Sequence, residues 1–133
     1  MTNIIETIHR LPDMEHAVPA GQDEILRAEH ALGLRFAEEY RQYLSAFGAA
    51  WSDIIVISGI LDAEDYHVVS LTQRMRSVNP DSPSTFYAIE DVGVDGLVIW
   101  QDHTGTVYQS IPNHPPVKIF DSLSAFLDYQ MED

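Results

Sequence analysis

Cysteine is absent from the 133-residue sequence, which removes disulfides, thiolate zinc sites, iron–sulfur clusters and cysteine nucleophiles from consideration. Positive charge is scarce: seven lysines and arginines stand against 21 aspartates and glutamates, for a formal net charge of −14. Such a surface repels a phosphate backbone instead of releasing its counterions, so direct nucleic-acid binding is not expected. No apolar run approaches the roughly 18 residues of a membrane helix, and the N-terminus, MTNIIETIHRL, has no basic region leading into one. No membrane association is expected, and a cytoplasmic location is the default. Catalytic signatures are missing as well, with no Gly-x-Ser-x-Gly elbow, no Walker loop and no dinucleotide fingerprint. The six histidines are scattered without the two-on-one-helix spacing of zinc hydrolases; His103 and His114 are placed to meet across a hairpin, but no third ligand is indicated. Neither a metal nor a cofactor is called for.

What is present reads as a single folded domain over residues 1–133. Hydrophobic residues make up 45% and aromatics 10% of the chain, enough for a core without covalent staples. The excess acidity has two readings. It keeps the protein soluble, or it steers a basic partner into contact over a long range, an effect that salt would weaken.

Periodicity sets the order of elements. Asn3 with Glu6 has the form of a helix cap, and Ile4, Ile8 and Leu11 share a helical face before Pro12. Residues 13–22 mix Pro, Gly and charge and predict a loop. Ile25, Ala28 and Leu32 form a second stripe closed by Gly33, and Tyr40, Tyr43, Leu44 and Phe47 a third closed by Gly48. The apolar, β-branched run Asp53 to Ile57 predicts a strand, and Leu71, Met75 and Val78 a fourth helix. From Phe86 the chain predicts a β-meander: 86–89, 97–101, 106–111 and 117–120, with turns between too short for crossovers. A final helix, capped by Asp121 or Ser122, carries Leu123, Phe126, Leu127 and Met131 on one face. The order predicts an α+β fold with a central, mainly antiparallel sheet of about 4–6 strands flanked by N-terminal and C-terminal helices.

One stretch raises the question of phosphoryl transfer. Asp102-His103-Thr104-Gly105-Thr106 differs by one residue from the aspartyl-phosphate motif of the P-type ion pumps, with His103 in place of lysine. A phosphoaspartate site also needs a cation and further acids for magnesium, and the residues from His103 to Asp133 are too few to supply such a domain. Turn chemistry accounts for the same residues: Asp102 accepts a backbone N–H two residues on, and Gly105 takes a positive φ. The acidic cluster Asp62, Glu64, Asp65 lacks the glycine of a calcium loop, His67 standing in its place, and reads as solvated. Glu90 and Asp91 are both carboxylates, but adjacent residues of an extended chain face opposite ways.

Two blocks resemble a known family. Glu24 to Gly48, EILRAEHALGLRFAEEYRQYLSAFG, resembles the opening of the SMI1/KNR4 domains of the SUKH superfamily. Gly96 to Leu127, with its strand, Asp-x-x-Gly turn, Val-Tyr strand and Ser122-x-x-x-Phe126-Leu127, resembles the end of the same domain. Two departures are visible: Ala37 stands where the family commonly opens its helix with proline, and Phe47-Gly48-Ala49-Ala50 replaces an Asn-Gly type of ending. The resemblance implies an α+β fold and a non-catalytic binding module. Bacterial members are immunity proteins that bind secreted polymorphic toxins, many of them nucleases; fungal members are signalling scaffolds of cell-wall synthesis.

The expectation is thus an immunity protein, a monomer or weak dimer, that neutralises a cognate and basic toxin by one-to-one binding. The candidate partner-binding residues are Trp51, Asp62, Glu64, Asp65, Tyr66, Glu90, Asp91, Asp95 and Asp102, with Trp51 or Tyr66 as aromatic anchors; core packing for Trp51 and simple solvation for the carboxylates compete with those roles. The alternative is a regulatory scaffold or small-molecule-binding domain without a toxin partner, whose sign would be an apolar pocket lined by the sheet. A hydrolase built on Asp102 and His103 is the third reading.

Overall fold

The computed structural model describes residues 3–131. Helix α1, Ile4–Arg10, starts where Asn3 accepts the Glu6 backbone N–H at 2.9 Å, as its cap pattern predicts. Helices α2, Gln22–Leu32, and α3, Glu38–Phe47, bury the stripes read from sequence, Ile25, Ala28 and Leu32 on one and Tyr40, Tyr43, Leu44 and Phe47 on the other. Helix α4, Val68–Val78, opens on His67, whose Nδ1 accepts from Val69 N–H at 3.2 Å. Burial pushes the His67 pKa down, which keeps the ring neutral and its nitrogen free to accept. Leu71 and Met75 are buried as expected, but Val78 at the helix end is exposed. Helix α5, Leu123–Met131, buries Leu123, Phe126 and Leu127, and Ser122 Oγ caps it by accepting from Ala125 N–H at 3.0 Å. The expected place of the Met131 side chain on that face, and residues 1, 2, 132 and 133 of the expected domain, lie outside what is described.

The α+β expectation holds, with the strands sorted into two antiparallel sheets. The larger is the predicted meander, β4 Tyr87–Asp91, β5 Val98–Gln101, β6 Val107–Ser110 and β7 Val117–Phe120, in the order β4-β5-β6-β7. It is covered on both faces at β5, where all four residues are buried and the sequence reads as an apolar run into Gln101. Tyr87, Ile89, Ile99 and Val107 meet the main core with α1, α3 and α5, whereas Ala88, Val98 and Trp100 pack with Leu71 and Met75 of α4. The smaller sheet has two-residue strands: β1 Glu15–His16, β2 Ala50–Trp51 and β3 Val56–Ile57. It leans on the larger through Ser58, whose N–H donates to Ile89 O at 2.8 Å and whose hydroxyl donates to Ala88 O at 2.6 Å.

Two predicted segments differ. Residues 13–22 are not loop throughout, because β1 pairs with β2, Glu15 opposite Trp51. Nor is Asp53–Ile57 one strand: Trp51 pairs with Val56, so Ser52 to Ile55 form a tight turn. Ser52 stabilises it, its N–H donating to Ile55 O at 2.8 Å and its hydroxyl accepting from Ile54 N–H at 3.2 Å. A β-branched run thus has its first residue, Ile54, at a turn tip with 85% of its surface exposed. Local propensity is outweighed by the pairing of the flanking residues. At the end of α3, Gly48 takes φ +71, and a Cβ there would lie 2.1 Å from the Val18 carbonyl oxygen, so the passage of β1's loop over this turn requires glycine.

Candidate functional site

The site grows from an irregularity in β4. Tyr87 and Ala88 pair with Gln101 and Trp100, then the register shifts, so that Glu90 lies opposite Ile99 and Asp91 opposite Val98. Residues directly opposite in an antiparallel pair share a face. Glu90 therefore shares the face of Ile99, toward the main core, and Asp91 the face of Val98, toward α4. Alternation separates the two neighbouring carboxylates, and the bulge decides which takes which face, turning Glu90 toward the main core and Asp91 toward α4.

On the Glu90 side an open groove of about 680 Å³ runs along the end of the sheet. Ile99, Ile119 and Phe120 form its floor, Phe126 and Tyr129 of α5 one wall, and Ile54 of the β2–β3 turn the other. Ile54 and Tyr129, at 85% and 57% exposure, leave it open to solvent. A second cleft of about 260 Å³, lined by Leu11, Pro12, Met14 and Ser52, shares Ile54, Ile55 and Gln130 with it. Only two charged side chains line the groove, Glu90 and Lys118. Lys118 Nζ sits 2.6 Å from Asp121 Oδ1 and pairs there, not with Glu90. Glu90 accepts one long bond, from Val56 N–H at 3.5 Å, and no cation pairs with it among the described residues. Burial pushes its carboxyl up to about 7, the Val56 N–H opposes this, and the charge of Asp91 adds to the rise.

Across the sheet edge, a smaller cleft of about 260 Å³ is lined by Val56, Ser58, Leu71, Arg74 and four of the expected residues, Asp65, Tyr66, Glu90 and Asp91. Arg74 of α4 holds it together, 3.3 Å from Asp65 and 3.7 Å from Asp91. Asp65 and Tyr66 belong to a 3₁₀ turn, Glu64–Tyr66, that ends on the His67 cap. Hence one arginine joins the acidic loop to the end of β4, and Glu90 lies between the charged cleft and the apolar groove.

The other expected residues are placed elsewhere. Glu64 is exposed on the same turn, its carbonyl accepting from Ser70 Oγ at 2.7 Å. Asp62 lines a separate cleft with Val18, Glu24 and His67. Trp51 is half-buried in β2. Asp95 is exposed in the β4–β5 turn with φ 55. Asp102 is only 8% exposed, and both its oxygens accept hydrogen bonds within its own turn and from β6. Oδ1 accepts from Thr104 N–H at 3.0 Å and from the Thr104 hydroxyl, and Oδ2 accepts from Tyr108 OH at 2.9 Å. Gly105, at φ +93, completes the turn by donating its N–H to Asp102 O at 2.9 Å. That is the turn chemistry read from sequence. His103 and His114 do not meet, since one sits in the β5–β6 turn and the other in the β6–β7 turn, at opposite ends of β6. Among the described residues no three His, Asp or Glu side chains are grouped to hold a metal ion, and no helix is long and apolar enough to cross a membrane.

The groove itself, with Ile54 and Tyr129 on its rim, was missed in the sequence. Ile54 is hidden by its β-branched neighbours, and Tyr129 falls three residues after Phe126, where helical spacing suggests the buried face. Chemically the arrangement offers apolar surface and one acceptor. Apolar walls supply area, and a carboxylate short of donors supplies one strong acceptor. Besides Glu90 and Lys118, the polar lining is Gln109, Gln130 and the hydroxyl of Tyr129. A family model described as SMI1-KNR4 cell-wall (SUKH_5) matches residues 1–131. No curated protein matches the chain.

Proposed function

The chain belongs to the SMI1-KNR4 (SUKH) family, and from that premise we propose that it is a non-catalytic immunity protein that neutralises a cognate toxin by binding it one to one. The toxin is basic, and a nuclease fits, because an acidic protein can occupy a nucleic-acid site as its substrate would. The observation that carries the reading is the open groove beside Asp65, Tyr66, Glu90 and Asp91, with Ile54 and Tyr129 exposed at its rim, on a chain of net charge −14. Exposed apolar side chains ringed by polar ones are the make-up of a protein interface. In such an interface a central anchor contributes about 2 kcal/mol or more, while rim carboxylates mainly set the association rate.

A second reading draws support from the same groove, since a sheet-lined apolar pocket is what a scaffold or small-molecule-binding domain would present. Its openness favours the first. A small ligand is held where most of its surface can be buried, whereas walls formed by Ile54 and Tyr129 suit a convex protein surface.

The test is purification of the tagged protein from its host at low and at high salt, with co-eluting chains identified by mass. One stoichiometric basic partner, captured faster at low salt, toxic when expressed alone and harmless when co-expressed, is the expected result. A harmless signalling or cell-wall enzyme in its place would move the function to the scaffold reading.

A further inference from the structure

Three features point to the chemistry of what enters the groove. Its walls are apolar, so the occupant presents apolar side chains. Glu90, at one end of the groove, is partly desolvated, with a single long donor and no cation. Lys118, the groove's other charge, is held 2.6 Å from Asp121 and does not neutralise it. The remaining charges near Glu90 are Asp91, Asp65 and Arg74 in the adjoining cleft, and Arg74 is shared between the two aspartates. A carboxylate in this state has lost hydration without gaining a partner, and an incoming cation restores what burial removed.

We propose that the groove is a receptor for one basic side chain of the partner, an arginine or lysine flanked by apolar residues. Its cation seats on the Glu90 carboxylate while the flanking residues cover Ile54, Phe126 and Tyr129. The assignment rests on the protein-binding reading above and narrows it to a position and a chemistry. A guanidinium suits the site better than an ammonium, because it is more weakly hydrated and its planar fork matches a carboxylate. Glu90 then contributes to the dissociation rate, in contrast to the exposed carboxylates Asp65 and Asp91, which act on encounter.

The test uses the full chain without a toxin, with benzamidinium as a probe that joins an apolar ring to a planar cation, and neutral benzamide as its counterpart. Both are titrated at neutral pH while the NMR signals of Ile99, Ile119 and Phe126 and the carboxyl carbon of Glu90 are followed. Benzamidinium is expected to shift all four and to lower the Glu90 titration midpoint, and Glu90→Gln to weaken it about tenfold, as loss of a charge-assisted bond predicts. Asp81, exposed in the turn that follows α4, lines neither the groove nor the adjoining cleft; Asp81→Asn removes the same charge and is expected to leave probe affinity within about twofold, since an exposed distant charge is screened. Equal binding of the two probes, or an unaltered affinity in Glu90→Gln, would overturn the proposal and leave the groove apolar only. Broadening of the groove signals with protein concentration before any probe is added would also overturn it, by identifying a second copy as the occupant. Because no toxin takes part, failure here sinks the Glu90 receptor alone, and salt-dependent capture of a toxin still decides the immunity reading.

Discussion

Two glutamates line the same end-to-end face of the sheet and lead opposite lives. Glu39 of α3 reaches Gln101, and Glu90 lies opposite Ile99, two residues earlier in β5 on the same face. Glu39 is saturated: Oε1 accepts from Leu123 N–H at 2.7 Å and Gln101 Nε2 at 2.9 Å, and Oε2 from Ser124 N–H at 3.0 Å and the Ser124 hydroxyl at 2.9 Å. It thereby closes the N-terminus of α5, where orphan backbone donors and the helix dipole both favour a carboxylate. The chain continues inward, since Gln101 accepts from Tyr87 OH at 2.8 Å, and Tyr87 accepts from Ala37 N–H at 3.0 Å. Glu90 has one donor at 3.5 Å. A carboxylate whose acceptor sites are filled from within the fold belongs to the structure; one left short of donors keeps capacity for something outside.

The strongest way to break this contrast is Glu39→Ala. It leaves two backbone N–H groups of α5, a serine hydroxyl and one Gln101 donor without their acceptor, while Gln101 keeps its bond to Gly105 O at 3.0 Å. The expected loss is about 3 kcal/mol of unfolding free energy, read as a lower urea midpoint with an unchanged slope. A loss below about 1 kcal/mol would mean that water replaces the protein donors and that Glu39 differs little from a surface acid.

Glu90→Gln should act with the opposite sign. The folded pKa of Glu90 is raised from 4.5 to about 7, so the folded state holds a proton that the unfolded state has released across that interval. Stability attributable to Glu90 is full below pH 4.5 and declines as pH rises through about 7. At about pH 8 the Gln variant is expected to be more stable than the parent by on the order of 2 kcal/mol, and at about pH 4 to match it. Denaturant unfolding at the two pH values checks this. A variant less stable at both would show that the carboxylate is held by the fold after all.

The sequence makes one of the two glutamates easy to see and misses the reason. Glu90 stands out beside Asp91, and alternation correctly puts them on opposite faces. Its semi-buried state depends on the β4 bulge and on the turn that brings Val56 to it, and a turn inside an Ile-Ile-Val-Ile run has no signature when each residue favours a strand. Glu39 is invisible for a different cause: its donors lie at residues 101, 123 and 124, and contacts of that separation are set by the fold and not by local pattern. Helix faces, the meander and the Asp102 turn were legible because each rests on neighbours within a few positions. Arg74 joins Asp65 to Asp91 by the same kind of long-range meeting, so the acidic candidates could be named from sequence but not grouped.

Ile54→Ser sharpens the contrast from the apolar side. At 85% exposure the side chain contributes little to folding, and the variant should keep its stability within about 0.5 kcal/mol. Partner binding should fall about tenfold, near 1.4 kcal/mol, if the groove is the interface core. Calorimetric titration of the partner against both forms reads the difference. An unchanged affinity with the parent's stability would move the interface away from the groove.

The smallest effect belongs to Arg74→Ala. Its contacts with Asp65 and Asp91 are 3.3 and 3.7 Å long between side chains exposed by 41%, 79% and 38%. Surface pairs of this kind contribute less than about 1 kcal/mol, and salt screens them. Loss of stability should therefore be slight at low salt and vanish on the addition of salt, while amide exchange at Tyr66 quickens, because the 3₁₀ turn keeps its bond to Ala63 O at 3.0 Å and the Ser70 bond to Glu64 O at 2.7 Å but loses its charged tie to the helix. A salt-resistant loss comparable to that of Glu39→Ala would place the acidic cleft with the internal network. Asp65 and Asp91 would then be structural acids, leaving Glu90 as the carboxylate of this site with capacity for a partner.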